Sequence, residues 1–216
     1  IDLDTEYLIV ELGAGGPGEV GKLAAISQPD IAIVLKVGLP HAGVFRTLEA
    51  TQAAKAALIT GLPSTAVAIL NADDGRVSAM QALTAARVVW FGLDERADPR
   101  AEDLAATVAG TTFTLVCGTD RRTVTLRILG EHHVMNALAT IAAARELGVP
   151  LDSAVAAIEA VTRAERWRME MLHPSGGITV INDAYNASPD STAAALKTLA
   201  QIVQPSQRSV AVLGEM

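Results

Sequence analysis

Sulfur, aromatic rings and positive charge are scarce in this chain, and each shortage excludes a class of function. Cys117 is the only cysteine among 216 residues, which rules out an internal disulfide and a cysteine-based zinc site and suits a reducing compartment. Aromatic residues are 3% of the chain and the net charge is −7, so it lacks the basic footprint of a nucleic-acid-binding surface. No apolar run approaches the roughly 18 residues of a membrane span. Residues 1–20 also lack the basic start and apolar core of a secretory signal. The expected location is cytoplasmic. An initiator Met is missing too: the chain starts at Ile1 and ends at Met216, just after the strand-like Ser209-Val210-Ala211-Val212-Leu213. A last parallel strand without a covering helix reads as the edge of an excised piece of a longer protein. What is plentiful is hydrophobic residues, 50% of the total, enough for one large or two small domains.

The apolar residues fall into alternating patterns. Glu6 to Leu12 reads as a buried strand, Gly18 to Ser27 as a short helix and Ile31 to Val37 as a second strand. A helix at Thr47 to Ile59, a strand at Ala66 to Leu70, a helix at Asp74 to Ala85 and a strand at Arg87 to Phe91 follow. Strands and helices at this spacing predict βαβ units and a parallel sheet. The rhythm then changes. Residues 94–103 are charged and carry Pro99, as a surface loop would, and three short strands follow at Leu104 to Val108, Thr112 to Cys117 and Thr123 to Ile128, the last two joined at Gly118-Thr119-Asp120. Helices return at Glu131 to Gly148 and Asp152 to Val161. A strand over Gly177 to Ile181 and a helix over Pro189 to Val203, burying Leu196, Leu199, Ala200 and Val203, complete the reading. The fold class is α/β: a mainly parallel sheet flanked by helices, a small antiparallel subsheet, and the start of a second, Rossmann-like α/β domain.

Two glycine-rich patterns invite a nucleotide reading and fail it. Gly13-Ala14-Gly15-Gly16-Pro17-Gly18 matches the dinucleotide spacing, but the second strand ends in Lys36-Val37-Gly38 where a ribose-binding acid belongs. Gly16 to Leu23 is one residue short of a P-loop, because Leu23 stands where a Mg²⁺-binding hydroxyl is required. A tight turn with a solvated Lys22 explains both patterns better.

Chemistry concentrates elsewhere. Asn182-Asp183-Ala184-Tyr185-Asn186-Ala187-Ser188-Pro189-Asp190-Ser191 crowds polar groups into a strand-to-helix turn, where backbone N–H groups can meet a phosphate or simply form turn hydrogen bonds. Glu11 closes one strand and His41 follows the next, so a parallel sheet could bring them to one edge as oxygen and imidazole ligands for Mg²⁺ or Mn²⁺. Lys55 sits in mid-helix. Each also has a plain reading as a strand-end charge, a loop histidine or a solvated lysine. His132 or His133 and Asn136 lie one helical turn apart, a face for a purine or an ordinary helix start. Arg166 and Arg168 offer planar forks for phosphate oxygens. Asp183, at a strand end, could bind a ribose hydroxyl.

In order and spacing, Glu11-Leu12-Gly13-Ala14, Val37-Gly38 with His41, Ala54-Lys55, Leu70-Asn71-Ala72-Asp73-Asp74, Gly130 to Ala139, Arg168-Met169 and Asp183 to Ser191 together resemble the Mur ligases over nearly the whole chain. The Asp-x-Tyr-Asn-Ala-x-Pro form is most similar to members that join D-Ala-D-Ala to UDP-MurNAc-tripeptide in peptidoglycan precursor synthesis. The resemblance implies that residues 1–174 are most of a central ATPase domain and that 175–216 begin the C-terminal domain. It implies ATP and Mg²⁺ as cofactors, an acyl phosphate intermediate, and a cytoplasmic monomer. It makes Glu11 and His41 metal ligands and Lys55 a carbamylated lysine facing a second metal. Asn136 would contact adenine, Arg168 the γ-phosphate and Asp183 the ribose, with Tyr185, Asn186 and Asn71 near the nucleotide. Lys55, His41 and Arg168 are the expected catalytic group. The family's P-loop would lie before Ile1, so the piece alone is expected to be inactive. Departures are Gly15-Gly16 for a usual Asn-His, Lys36 for an Asn, Val44 and Arg46 for Glu and Gly, and His133 and Ser188 each for an Asn. A related ligase of the MurE, folylpolyglutamate or cyanophycin synthetase type, or a non-catalytic nucleotide-binding module, are the alternatives.

Overall fold

Three parallel strands form the frame of the molecule. The computed structural model describes residues 2–38, 45, 47–162 and 165–214. β1 (Ile31–Val34), β2 (Val67–Asn71) and β3 (Arg87–Phe91) pair in that order, with Ile31 opposite Val67 and Val67 opposite Arg87. Helix α1 (Glu19–Ser27) precedes the sheet, and α2 (Leu48–Thr60) links β1 to β2. Thr47 starts α2 by accepting the Ala50 N–H on its hydroxyl, as an N-cap does. Between β2 and β3 the expected single helix is two short pieces, α3 (Gly75–Ser78) and a 3₁₀ turn at Ala79–Leu83.

Successive residues of a strand face opposite sides, and here both sides are covered. Ala68 and Leu70 of β2 point into one core with Ile59 of α2, Val77 and Met80. Ile69, between them, points into the other with Phe91, Phe113, Leu138 and Ile141. That second core is built by an antiparallel subsheet, β4 (Arg100–Thr107), β5 (Gly110–Cys117) and β6 (Asp120–Leu126), and by α4 (Glu131–Glu146) and α5 (Leu151–Ala160). A hairpin of β7 (Glu170–Leu172) and β8 (Val180–Asn182) then leads into α6 (Pro189–Ile202).

Four expectations are corrected. Glu6 to Leu12 forms no strand and is not buried: Ile9 is 93% exposed, since an apolar extended segment needs a neighbouring ladder that no described residue supplies. Ser209 to Leu213 is likewise outside any strand, with Val212 93% exposed. Residues 100–103 belong to β4 rather than a loop. Their charges form an outward face, where Glu102 meets Arg100 at 2.9 Å and Arg121 at 2.5 Å. The buried stripe of α6 is one residue out from the expected one. Ala195 and Ile202 pack with Leu129 and Met169 and Thr198 is buried, whereas Leu196 is exposed. No helix among the described residues is long and apolar enough to cross a membrane.

At the start of α4, burial pushes His133 down to about 4, and its neighbour His132, with ring centroids 4.2 Å apart, adds to the shift. The His133 Nε2 is buried without a hydrogen-bond partner. A folded pKa below the unfolded value near 6.5 means that His133 stabilises the fold fully above that value and less as the pH falls toward 4. Equilibrium urea unfolding should show a loss of about 1–3 kcal/mol across that window, flattened in His133→Asn. The same measurement at neutral pH should give about 3–5 kcal/mol of destabilisation for Phe113→Ala and under about 1 kcal/mol for Leu196→Ala.

Candidate functional site

The chain leaves β1 through Leu35, Lys36, Val37 and Gly38, and side chains from three other elements hold this exit in place. Asn71, buried at the end of β2, donates its amide to the Leu35 carbonyl at 2.8 Å and accepts the Asp73 N–H at 2.8 Å. Asp74 accepts the Val37 N–H on one oxygen at 2.8 Å and the Arg76 and Val77 N–H groups on the other, capping α3 as it does so. Lys55 reaches from the middle of α2 to donate to the Lys36 carbonyl at 2.6 Å. Burial lowers the Lys55 pKa, and the Asp74 charge opposes that shift. A lysine desolvated in this way is readier to become a neutral, nucleophilic amine. The Lys36 side chain turns the other way, to Asp190 at 3.2 Å in the first turn of α6.

Lys36, Val37, Asn71 and Asp74 of this arrangement line an open cleft of about 640 Å³, together with Gly75, Arg76 and Met135 of α4. Arg76 is engaged by Glu49 at 2.7 Å. Met135 brings the first turns of α4 to the same opening. There His132 and Asn136 are exposed one turn apart, while His133 is turned inward. Protein atoms around the His132 ring push its pKa down although an edge reaches solvent, and the Asp183 charge pulls the other way.

Asp183, Tyr185 and Arg168 form a second knot. The Asp183 carboxylate accepts the Met169 N–H at 3.0 Å, and Tyr185 donates its N–H to the Trp167 carbonyl at 3.1 Å. The Arg168 guanidinium lies over the Tyr185 ring, 4.2 Å from its centroid, a cation–π contact. Asn186 turns back to accept the Ala187 N–H at 2.9 Å. Ser188 then opens α6 with a capping box shared with Ser191, and Pro189 takes the first helical position. The replacement of the usual Asn by Ser188 therefore keeps a strong helix start. Lys197 and Gln201 of α6 both hold Glu131 at the head of α4, at 2.6 and 2.8 Å, and lower its pKa.

Asn71, Lys55, Arg168, Asp183 and Tyr185 are thus held in two knots. Lys36 with Asp190 joins the first knot to α6, and Glu131 with Lys197 joins α4 to α6. Glu11 is exposed on an irregular segment and makes no hydrogen bond or ion pair among the described residues. His41, Val44 and Arg46 lie outside the described residues. No group of three or more His, Cys, Asp and Glu side chains gathers for a metal ion among the described residues. The glycine-rich loop is covered by an acid. The Glu19 carboxylate folds over it so closely that a Cβ on Gly15 would sit 2.7 Å from its oxygen. The loop therefore carries a negative side chain over its glycines, and Lys22 is exposed on α1. Sequence reasoning gave no role to Asp74 or Asp190, though both stood in view as acids in the first turn or at the cap of a helix.

Comparison with known proteins identifies the family. The family model of the Mur ligase middle domain matches residues 2–144, and that of the Mur ligase glutamate ligase domain matches residues 167–216. UDP-N-acetylmuramoyl-tripeptide--D-alanyl-D-alanine ligase of Mycobacterium bovis is 42% identical over 216 residues, covering 98% of this chain and 42% of its own length. The crystal structure of MurF from Acinetobacter baumannii superposes with a TM-score of 0.87 at 28% identity, covering 93% of this chain and 44% of that one. MurF of Thermotoga maritima, solved in complex with ADP, shares the fold at a TM-score of 0.79 and 23% identity, over 88% of this chain and 43% of that one. The chain therefore spans under half the length of these relatives. With both domain models matched in sequence order and the same fold in solved members, the chain belongs to the Mur ligase family.

Proposed function

We propose that this chain is the nucleotide-handling part of an ATP-dependent ligase that adds D-Ala-D-Ala to UDP-MurNAc-tripeptide in peptidoglycan precursor synthesis, in the cytoplasm and as a monomer. The observation that carries this reading is the pairing of Arg168 with Tyr185 and of Asp183 with the Met169 N–H, beside the first turn of α4. It places a fork-shaped cation, an aromatic ring and a carboxylate together, the groups that would meet a phosphate, a base and a ribose. The 42% identity with a ligase named for those substrates supports the substrate pair.

In this reading the terminal carboxylate of the tripeptide attacks the γ-phosphorus of ATP, forming an acyl phosphate and releasing ADP. The D-Ala-D-Ala amine then attacks the acyl carbon, loses a proton, and displaces inorganic phosphate to leave the amide. Arg168 would neutralise charge on the transferring phosphoryl group. Asn136 would meet adenine, Asp183 the ribose, and Tyr185, Asn186 and Asn71 would line the nucleotide's surroundings. Mg²⁺ would supply charge neutralisation between phosphate oxygens. The donors suit it: the unengaged Glu11 carboxylate, the His41 imidazole, and Lys55 once its desolvated amine has added CO₂ and released a proton to become a carbamate. Residues 1–174 would form the middle domain and 175–216 the start of the C-terminal domain, with the hairpin of β7 and β8 crossing between them.

Phosphate release by the intact enzyme tests the reading. Release should require ATP, UDP-MurNAc-tripeptide and D-Ala-D-Ala together, and Lys55→Ala should slow it roughly ten- to hundredfold. Full activity with a different amino-acid acceptor and none with D-Ala-D-Ala would refute the substrate assignment. An unchanged rate in Lys55→Ala would refute the role of that lysine.

A further inference from the structure

Backbone strain in the described residues is concentrated around Arg168. Four residues other than glycine have a left-handed backbone: Gln28, Asp103, Trp167 and Met169. Gln28 terminates α1, and Asp103 sits in the register shift of β4 against β5, so local structure accounts for both. Trp167, at φ 65°, is the third residue of a β-turn closed by the Arg168 N–H on the Glu165 carbonyl, a place that usually takes glycine or asparagine, and Met169, at φ 47°, lies in no regular turn; the two flank Arg168 on both sides. A bulky aromatic residue in this conformation persists only where its surroundings hold it. The holding groups are visible. The Glu170 carboxylate accepts the Trp167 N–H at 3.2 Å, and the Asp183 carboxylate accepts the Met169 N–H at 3.0 Å. Tyr185 donates its N–H to the Trp167 carbonyl at 3.1 Å, and Arg168 donates its own N–H to the Glu165 carbonyl at 3.1 Å. Met169 is buried against Leu129 and Ile202, which anchors the clip to the α6 core. Every peptide around Arg168 is therefore fixed, and its guanidinium is laid on the Tyr185 ring.

We propose that Glu170 is a positioning residue: by holding Trp167 in its left-handed conformation it keeps the Arg168 guanidinium in place before an anionic ligand arrives. This rests on the reading that Arg168 meets a phosphate of ATP. The side chain of an arginine left free must be ordered when the ligand binds, which weakens binding. A glycine adopts the left-handed conformation without strain, so it should remove the need for the Glu170 contact.

The test uses the intact enzyme and five variants: Arg168→Ala, Glu170→Ala, Glu170→Gln, Trp167→Gly and Glu170→Ala combined with Trp167→Gly. The KM for ATP and kcat are read from phosphate release, and the exchange rate of the Tyr185 amide proton, which bonds to the Trp167 carbonyl, is read without nucleotide. Glu170→Ala should raise the KM for ATP by roughly two- to tenfold with kcat little changed. Glu170→Gln, which keeps an accepting oxygen, should stay near wild type. The double variant should recover most of the loss, and protection of the Tyr185 amide should fall and return in parallel. An effect of Arg168→Ala without one in Glu170→Ala, or a double variant no better than Glu170→Ala alone, would overturn the proposal. If amide protection falls and returns as expected while Arg168→Ala leaves the KM for ATP unchanged, the clip is supported and the phosphate role of Arg168 is refuted instead.

Discussion

The Asp74 carboxylate is the contact on which the candidate site depends. One oxygen holds the Val37 N–H at the exit of β1, and the other caps α3 through Arg76 and Val77. Its charge also acts on Lys55, which donates to the Lys36 carbonyl of that same peptide. A carboxylate accepting backbone N–H groups makes stronger hydrogen bonds than a neutral acceptor would. One side chain thus ties the end of a strand, the start of a helix and the proposed carbamylated lysine into a single rigid unit. Asn71 extends the unit by one residue through Leu35. The floor of the cleft is held by the buried Asn71 and the half-buried Asp74 and Lys55.

Above that floor lies a joint. Residues matched to the second domain model begin at 167, and the contacts that carry them back to the first include Lys36 with Asp190, Glu131 with Lys197 and Gln201, and the small core of Leu129, Met169 and Ile202. The two ion pairs are exposed, and exposed pairs are individually worth little, about 0–1 kcal/mol. The apolar contact is correspondingly the firmer of the links. Lys36, which stands where relatives commonly carry Asn, is thus engaged by an acid from α6 instead of presenting a bare charge to the proposed metal edge.

How far the sequence could be read depended on what kind of physics each feature needed. β1 to β3 and helices α2, α4 and α5 were legible because their apolar period is satisfied within the chain. At the glycine-rich loop, spacing alone argued against a phosphate, and the Glu19 carboxylate lying beside Gly15 is a contact that spacing could not contain. The strand patterns at 6–12 and 209–213 misled because periodicity describes a segment's readiness to pair and says nothing about a partner. For α6 the period was right and the phase was wrong by one residue, since the face that is buried is chosen by Leu129 and Met169, far away in sequence. The charges at 100–103 looked like a loop because a cross-strand partner such as Arg121 cannot be seen from its own segment. Among the candidate site residues, Asn71, Lys55, Arg168 and Asp183 were legible as motif positions. The holding roles of Asp74, Glu170 and Asp190 were not legible, because they are made by contacts with Val37, Trp167 and Lys36 that a single segment does not show.

The central claim is that the start of α4 and the turn from Asp183 to Ser191 share one nucleotide, while the glycine-rich loop has none. Photolabelling of the intact enzyme with an azido-adenine analogue of ATP, followed by peptide mapping, tests this most directly. The account predicts ATP-competable label in peptides spanning residues 131–140 and 182–191. Label confined to peptides containing residues 13–22 would contradict it.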